Sequence, residues 1–351
     1  MPLNGAATNS EIDASMGSIL LLNSSCQAVI EAEITEVSSP WYDQLDRELG
    51  AAENLVVGWR RSGVLYFQTD ILDTIADTGQ AFTSAGPKIN GLFAALAQNF
   101  SAAGKAELIA AMQGLEPAVQ TLIQQIADYL AKLGAFEQNM LQADQAMRTT
   151  VGQVQAQEEQ IQGEIDAINN QIKLLTAQIQ TDRDAIARAK AARTRGIIET
   201  IFGVLFAPVT GGASLILAGI GVSSIAEAEG EINSMESQIS GYQQQITGDQ
   251  SQLSDDQKVV ATLGALTMST SFVLTDMASI ETALDSLRTN WTMLDGELDG
   301  VIAKIQAATS AADLVVSQAW YDAACTEWNL IVNHVADLSG RQITTSRVRV
   351  G

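Results

Sequence analysis

The sequence predicts an all-α or predominantly α protein, an elongated antiparallel helical bundle with an apolar hairpin inserted between its longest helices. Three observations carry that reading. The only prolines are Pro2, Pro40, Pro87, Pro117 and Pro208, so residues 118–207 and 209–351 can each run as helix without a missing amide donor or a ring clash. Apolar residues from Leu115 to Ile179 recur three or four apart, the spacing of a buried helical stripe. Between Glu199 and Glu227 lie 27 residues, TIFGVLFAPVTGGASLILAGIGVSSIA, without one Asp, Glu, Lys or Arg.

Taken in order, residues 12–36 carry Ile12, Met16, Ile19, Leu20, Cys26, Val29 and Ile30 as a helical stripe that Ser38, Ser39 and Pro40 end. A second helix is expected over Trp41–Ile75, through Leu45, Leu49, Trp59, Leu65, Phe67 and Ile71. The segment ADTGQAFTSAGPKINGL then reads as an interruption, followed by a short helix around Phe93 and Leu96. Residues 115–198 are expected as one element of about 126 Å at ~1.5 Å per residue. Its seam includes Leu122, Met140, Ile161, Ile168, Leu175 and Ile179, with Gly134, Gly152 and Gly163 as places to bend or admit a close neighbour. Residues 225 to about 268 return against it through Ile232, Met235, Ile239 and Ile246. Phe272 to Ile305 repeat the stripe, Thr309 and Ser310 mark a break, a terminal helix follows near 311–337, and GRQITTSRVRVG reads as a short basic tail.

Charge and composition exclude several functions. With 41 acidic and 19 basic side chains the net charge is −22, which repels phosphate backbones and argues against a nucleic-acid partner. One histidine, His334, and two cysteines cannot make an ordinary zinc site or a Cys/His triad, and no HExxH, CxxC, GK[ST] or nucleophile-elbow motif is present. No enzyme and no cofactor is expected. Trp320 and Trp328 read as core of the terminal bundle, and His334 as structural. Cys26 and Cys325 are either buried packing residues or a disulfide joining the first and last helices. The first residues hold no basic segment before their apolar run, so no cleaved signal peptide is expected.

The uncharged segment is the least generic part of the chain. Pro208, Gly211 and Gly212 place a turn near its middle, so the expected shape is a hairpin, its two flanks either short helices or two strands of a β-tongue. Each flank is short for a complete helical span of the bilayer. If residues 211–213 turn, Arg195 falls opposite Glu229, Arg193 opposite Glu231 and Arg188 opposite Glu236. Arg183, Arg188, Lys190, Arg193 and Arg195 therefore serve either that registry or anionic lipid headgroups at a membrane. The bland reading is a buried cap on a helical protein; the sharper one is membrane insertion.

A terminal bundle, long coiled-coil-like helices (EEQIQGEIDAINNQIKLLTAQIQ and EINSMESQISGYQQQI) and the apolar hairpin between them resemble the α-helical pore-forming toxin superfamily of cytolysin A, including components of the haemolysin BL and non-haemolytic enterotoxin type. The resemblance implies a helical tail of residues 1–180 and 240–351, and a neck and head of 181–239 with its hydrophobic hairpin at 199–227. It implies a head made of Ile201, Phe202, Val204, Leu205, Phe206, Pro208, Gly211, Gly212, Leu215, Ile216, Leu217, Ile220 and Val222, sheltered in a soluble form and rearranged at a target membrane. It further implies a secreted cytolysin or toxin subunit, monomeric when soluble, whose partners are a target-cell lipid membrane and copies of itself or related subunits. The alternative is a non-lytic structural or interaction protein whose hairpin caps its own bundle or binds a partner helix.

Overall fold

The structure, a computed structural model, describes residues 3–188, 196–206, 216–224 and 229–350; for 187, 188, 216, 217 and 229 only the backbone is described. It is predominantly helical with one four-stranded sheet. The elements are α1 (Gly5–Ile30), β1 (Glu33–Ile34), α2 (Tyr42–Tyr66), α3 (Asp73–Gln98), α4 (Ala102–Gln113), α5 (Glu116–Ala156), α6 (Gln162–Arg188), β2 (Ile197–Leu205), β3 (Ile216–Ser224), α7 (Glu229–Asp249), α8 (Asp255–Thr262), α9 (Met268–Ala307), α10 (Val315–Ser339) and β4 (Ile343–Val350).

Two compact units emerge. The first combines Met1–Met16, Leu65–Lys132 and Glu281–Arg341; the second combines Gly17–Val64, Leu133–Ile280 and Gln342–Gly351. The positions 180/181 and 239/240, where the sequence places the tail and head boundaries, both fall inside the second unit.

In the first unit aromatic packing holds the helices. Trp291 and Trp328 stack at 5.1 Å between centroids, Phe82 meets Trp328 at 5.6 Å, and Phe67 meets Tyr129 edge-on at 6.3 Å. Trp320 is half-buried and donates from Nε1 to Glu297 at 3.1 Å. α1 begins alongside α10: the Gly5 amide donates to Glu327 at 2.6 Å, Asn9 reaches the Leu330 carbonyl at 3.5 Å, and Asp13 meets His334 at 2.8 Å. His334 is thereby a surface partner between two helices.

Several sequence expectations are corrected here. The interruption expected over 76–92 is helix: α3 runs through Pro87 because Ile75, Phe82, Ile89, Phe93 and Leu96 stay buried along one face. The Tyr321 hydroxyl of α10 donates to the Phe82 carbonyl at 2.5 Å and ties this stretch of α3 to its neighbour. The expected single element over 115–198 breaks after Ala156, restarts at a short turn over Glu159–Ile161 and is described as helix as far as Arg188, with a strand beginning at Ile197. The returning segment is likewise divided, α8 starting at a Ser254 capping box with Gln257. At Gly134, Gly152 and Gly163 an added Cβ would meet nothing within 4 Å, so none of them admits a close neighbour. The break at Thr309 and Ser310 appears as expected, with Asp313 accepting from both backbone amides at 2.8 and 2.9 Å.

The basic tail is a strand. β4 pairs in parallel with β2 from Ile197 opposite Ile343 to Val204 opposite Val350, and the sheet order is β1-β3-β2-β4. β2 and β3 pair antiparallel from Ile198 opposite Ser224 to Leu205 opposite Leu217, a register centred on position 211, one residue before the expected centre. Lys190, Arg193 and Arg195, with Pro208, Gly211, Gly212 and Leu215, lie outside the described residues, and so do the expected charge pairs that needed them.

Candidate functional site

The sheet resolves the open choice between helices and a tongue: the flanks of the uncharged segment are strands. Their apolar residues run without alternation because both faces are covered. On one face Phe202, Val204 and Phe206 of the β2 side, Ala218, Ile220 and Val222 of β3, and Val350 of β4 join one core with Ile172, Leu175, Ile179 and Ile186 of α6 and Met235, Ile239 and Ile246 of α7. Phe202 and Val204 are fully buried, Phe206 is 3% exposed, and Ile220 and Val222 are fully buried. Fully exposing those five side chains to water would cost roughly 8–15 kcal/mol, at about 1.5–3 kcal/mol each. Leu205 is half-buried, and Ile201, 1% exposed, lies on the opposite face.

That opposite face lies on α1, and glycine permits it. A Cβ at Gly219 would stand 2.0 Å from the Ala28 carbonyl oxygen, and one at Gly221 would stand 1.9 Å from that of Ser24. Backbone, not a flexible side chain, fills the space, so β3 can reach α1 only without side chains at these two positions.

Polar groups tie the sheet at three places. Beyond the short β1, the carbonyls on the outer edge of β3 are met by side chains: Ser269 donates to Gly219, and Arg183 Nε donates to Gly221 at 2.6 Å. Arg183, itself fully buried, is the centre of a polar cluster. Its Nη2 stands 2.9 Å from Asp276 Oδ2, Nη1 donates to Gln180 at 2.9 Å, Ser25 bonds both partners, and the guanidinium lies 4.4 Å over the Phe272 ring. Burial raises the Asp276 carboxyl above its ordinary range, against the Arg183 charge and the hydrogen bonds from Ser25 and Arg183 that lower it.

The second tie is Glu199, fully buried within β2. It accepts from Asn23 of α1, stands 3.4 Å from Arg60 of α2, and is reached by Thr345 of β4 at 3.5 Å. The third is at the far end of the strands, where Gln243 of α7 donates to the Leu205 and Val350 carbonyls at 2.8 and 2.9 Å, and Gln250 to that of Phe206 at 3.3 Å. The ends of β2 and β4 are thus each met by an amide side chain of α7 or the turn after it.

These positions correct two sequence readings. Arg183, expected at the neck or at a lipid headgroup, is 0% exposed and neutralised by Asp276, so it meets no headgroup while the fold is closed. Cys26 and Cys325 are both free thiols. Cys325 belongs to the first compact unit and Cys26 to the second. Burial pushes the Cys26 thiol up, opposed by the nearby Arg60 charge. Sequence reasoning missed Glu199, Asn23, Arg60, Ser25 and Asp276, which lie far apart along the chain. Among the described residues no group of three or more His, Cys, Asp or Glu stands close enough to hold a metal ion. One helical stretch, Asp255–Ala307, has a window apolar enough to cross a membrane, but 78% of that window is buried as core.

No protein-family model and no curated protein sequence matches the chain. Solved structures do. Motility associated killing factor B from Vibrio cholerae superposes with a TM-score of 0.75 at 13% identity, over 99% of this chain and 96% of that one. The soluble AhlB of the tripartite alpha-pore forming toxin AHL from Aeromonas hydrophila gives 0.77 at 15% identity, over 98% and 95%. The HblL1 toxin component of Bacillus cereus gives 0.59 at 13%, over 98% and 99%. At these identities the likeness is one of fold, and the chain has the fold of the α-helical pore-forming toxins of the cytolysin A and haemolysin BL type.

Proposed function

We propose that this chain is a secreted subunit of a multi-component cytolytic toxin, whose β2–β3 hairpin leaves its shelter on α6, α7 and α1 and enters a target-cell membrane. The observation that carries the reading is an apolar hairpin, Ile201, Phe202, Val204 and Phe206 with Ile220 and Val222, buried on both faces of a soluble fold and fastened at its edges by polar side chains. Water holds it closed by the hydrophobic term; a bilayer replaces those contacts with lipid and removes the penalty for opening. The likeness to AhlB, of a tripartite toxin, and to the toxin component HblL1 supports action together with related subunits.

Once released, the strands cannot enter hydrocarbon as an isolated pair, because their outer edges would carry unpaired N–H and C=O groups. The hairpin therefore either lengthens as helix from α6 and α7 or assembles with other copies so that no edge is left open. No group in the head performs covalent chemistry in this account; the work is partitioning.

The test is the pair Leu205→Asp and Leu217→Asp, opposite each other in the strand register. Leu205 is half-buried, so helicity by circular dichroism should persist. Each aspartate at membrane depth costs about 2.5–3.5 kcal/mol, enough to abolish insertion. Equal vesicle leakage by the folded double variant and the parent, with the same partner subunits, refutes the assignment. A non-lytic protein using the hairpin as its own cap has the same resting burial; that reading gains if the parent itself never permeabilises vesicles in any subunit combination.

A further inference from the structure

We infer that β4 carries an anionic phospholipid headgroup site, formed by Arg347 and Arg349, which brings the protein to a membrane before the hairpin is released. The inference rests on the membrane reading above and adds the lipid class and the residues. Residues 338–350 hold three arginines and no Asp or Glu, in a chain whose net charge is −22. A protein of that charge is repelled by an anionic surface except where it presents such a patch.

The fold gives the patch its place. β4 is the edge strand of the sheet, and parallel pairing sets Arg347 beside Ile201 and Arg349 beside Gly203, on the flank of the apolar strand. Two residues apart on one strand, both side chains leave the same face, about 6.6 Å from each other along it. Val350, the next residue, is buried in the core shared by Val204 and α7, and its carbonyl is held by Gln243, so the pair stands on a fixed support.

Both arginines are exposed, Arg347 with 61% of its side chain in water. Arg347 bonds Glu31 at 2.8 Å, a surface pair worth about 0–1 kcal/mol that a phosphate can replace with a bidentate bond of its own. The Arg349 side chain has no hydrogen bond or ion pair among the described residues. Of the five basic residues that the sequence offers nearest the hairpin, Arg183, the one whose side chain is described, is buried against Asp276.

The experiment measures partition of the full chain onto vesicles of phosphatidylcholine alone and of phosphatidylcholine with phosphatidylglycerol. The hairpin is held shut by a disulfide from Glu33→Cys and Leu217→Cys, which face each other across β1 and β3. The closed protein is expected to bind the anionic vesicles in preference, and Arg347→Gln with Arg349→Gln to lower that binding about 25-fold, about fivefold per arginine. Arg347→Lys with Arg349→Lys should retain most of it. Arg148→Gln with Arg288→Gln, the same change of net charge on exposed arginines elsewhere, should leave it unchanged. Equal binding to both vesicles, or an equal loss from the Arg148 and Arg288 control, overturns the headgroup site and leaves the insertion reading standing. Absence of binding to any vesicle by the reduced, unlocked protein with its partner subunits overturns both.

Discussion

Replacing Asp276 with leucine should loosen β3 selectively, because it leaves the Arg183 guanidinium buried without a counter-charge. Arg183 and Asp276 are both 0% exposed and 2.9 Å apart. After the substitution Arg183 keeps the Gly221 carbonyl at 2.6 Å, Gln180 at 2.9 Å and Ser25 as acceptors, but no negative partner. Breaking a buried pair from one side costs about 3–5 kcal/mol. The cheapest relief is for the guanidinium to leave, and that also strips Gly221 of its donor and frees the edge of β3. At about 1.4 kcal/mol per decade, amide protection over 216–224 should fall roughly 10²–10⁴-fold. Native-state hydrogen exchange reads this directly, with α10 in the other compact unit as the internal control. Arg183→Met should cost less than Asp276→Leu, since the abandoned carboxyl, its proton affinity already raised by burial, can neutralise itself while arginine cannot. The double substitution Arg183→Met with Asp276→Leu should recover most of the loss. Equal costs for the two single changes, or protection lost equally in α10 and β3, would refute this account of the cluster.

Gly221→Ala should destabilise the closed sheet by about 1–3 kcal/mol or more through its clash with the Ser24 carbonyl, whereas Gly152→Ala or Gly241→Ala, in mid-helix with open space, should raise thermal stability by about 0.5–1 kcal/mol. Non-reducing peptide mapping should find no linked 26–325 peptide, and Cys26, 0% exposed, should react with an alkylating reagent only after unfolding.

The helical part of this fold was legible because its signal is local. The stripe through Ile161, Ile165, Ile168, Ile172, Leu175 and Ile179 is periodic and is buried throughout. Pro87 misled because a proline is a local rule, while the burial of Phe82 and Ile89 on either side of it is decided by α10. The hairpin was visible by its lack of charge, but not its strands: a run apolar on every side chain is equally a buried helix or a strand covered on both faces, and only α1 behind Gly219 and Gly221 settles which. β4 carried a usable signal in Ile343, Thr344, Thr345, Val348 and Val350, β-branched residues that favour strand, which the arginines between them disguised as a tail. Arg183 could not be read correctly at all. Its role depends on Asp276, 93 residues away, and a buried ion pair leaves no trace in local composition.

In the proposed function the β2–β3 hairpin must leave its shelter to meet lipid. The Glu33→Cys and Leu217→Cys disulfide tests it in one molecule, because β1 follows α1 and β3 is half of the hairpin, so the bond ties the head to the helix it covers. The measurement is labelling by a photoactivatable lipid, mapped by mass spectrometry to residues 197–224, with vesicles and partner subunits present, before and after reduction. No label is expected on that segment while the bond is closed, and label on both strands once it is reduced. Equal labelling of 197–224 with the bond intact would contradict it.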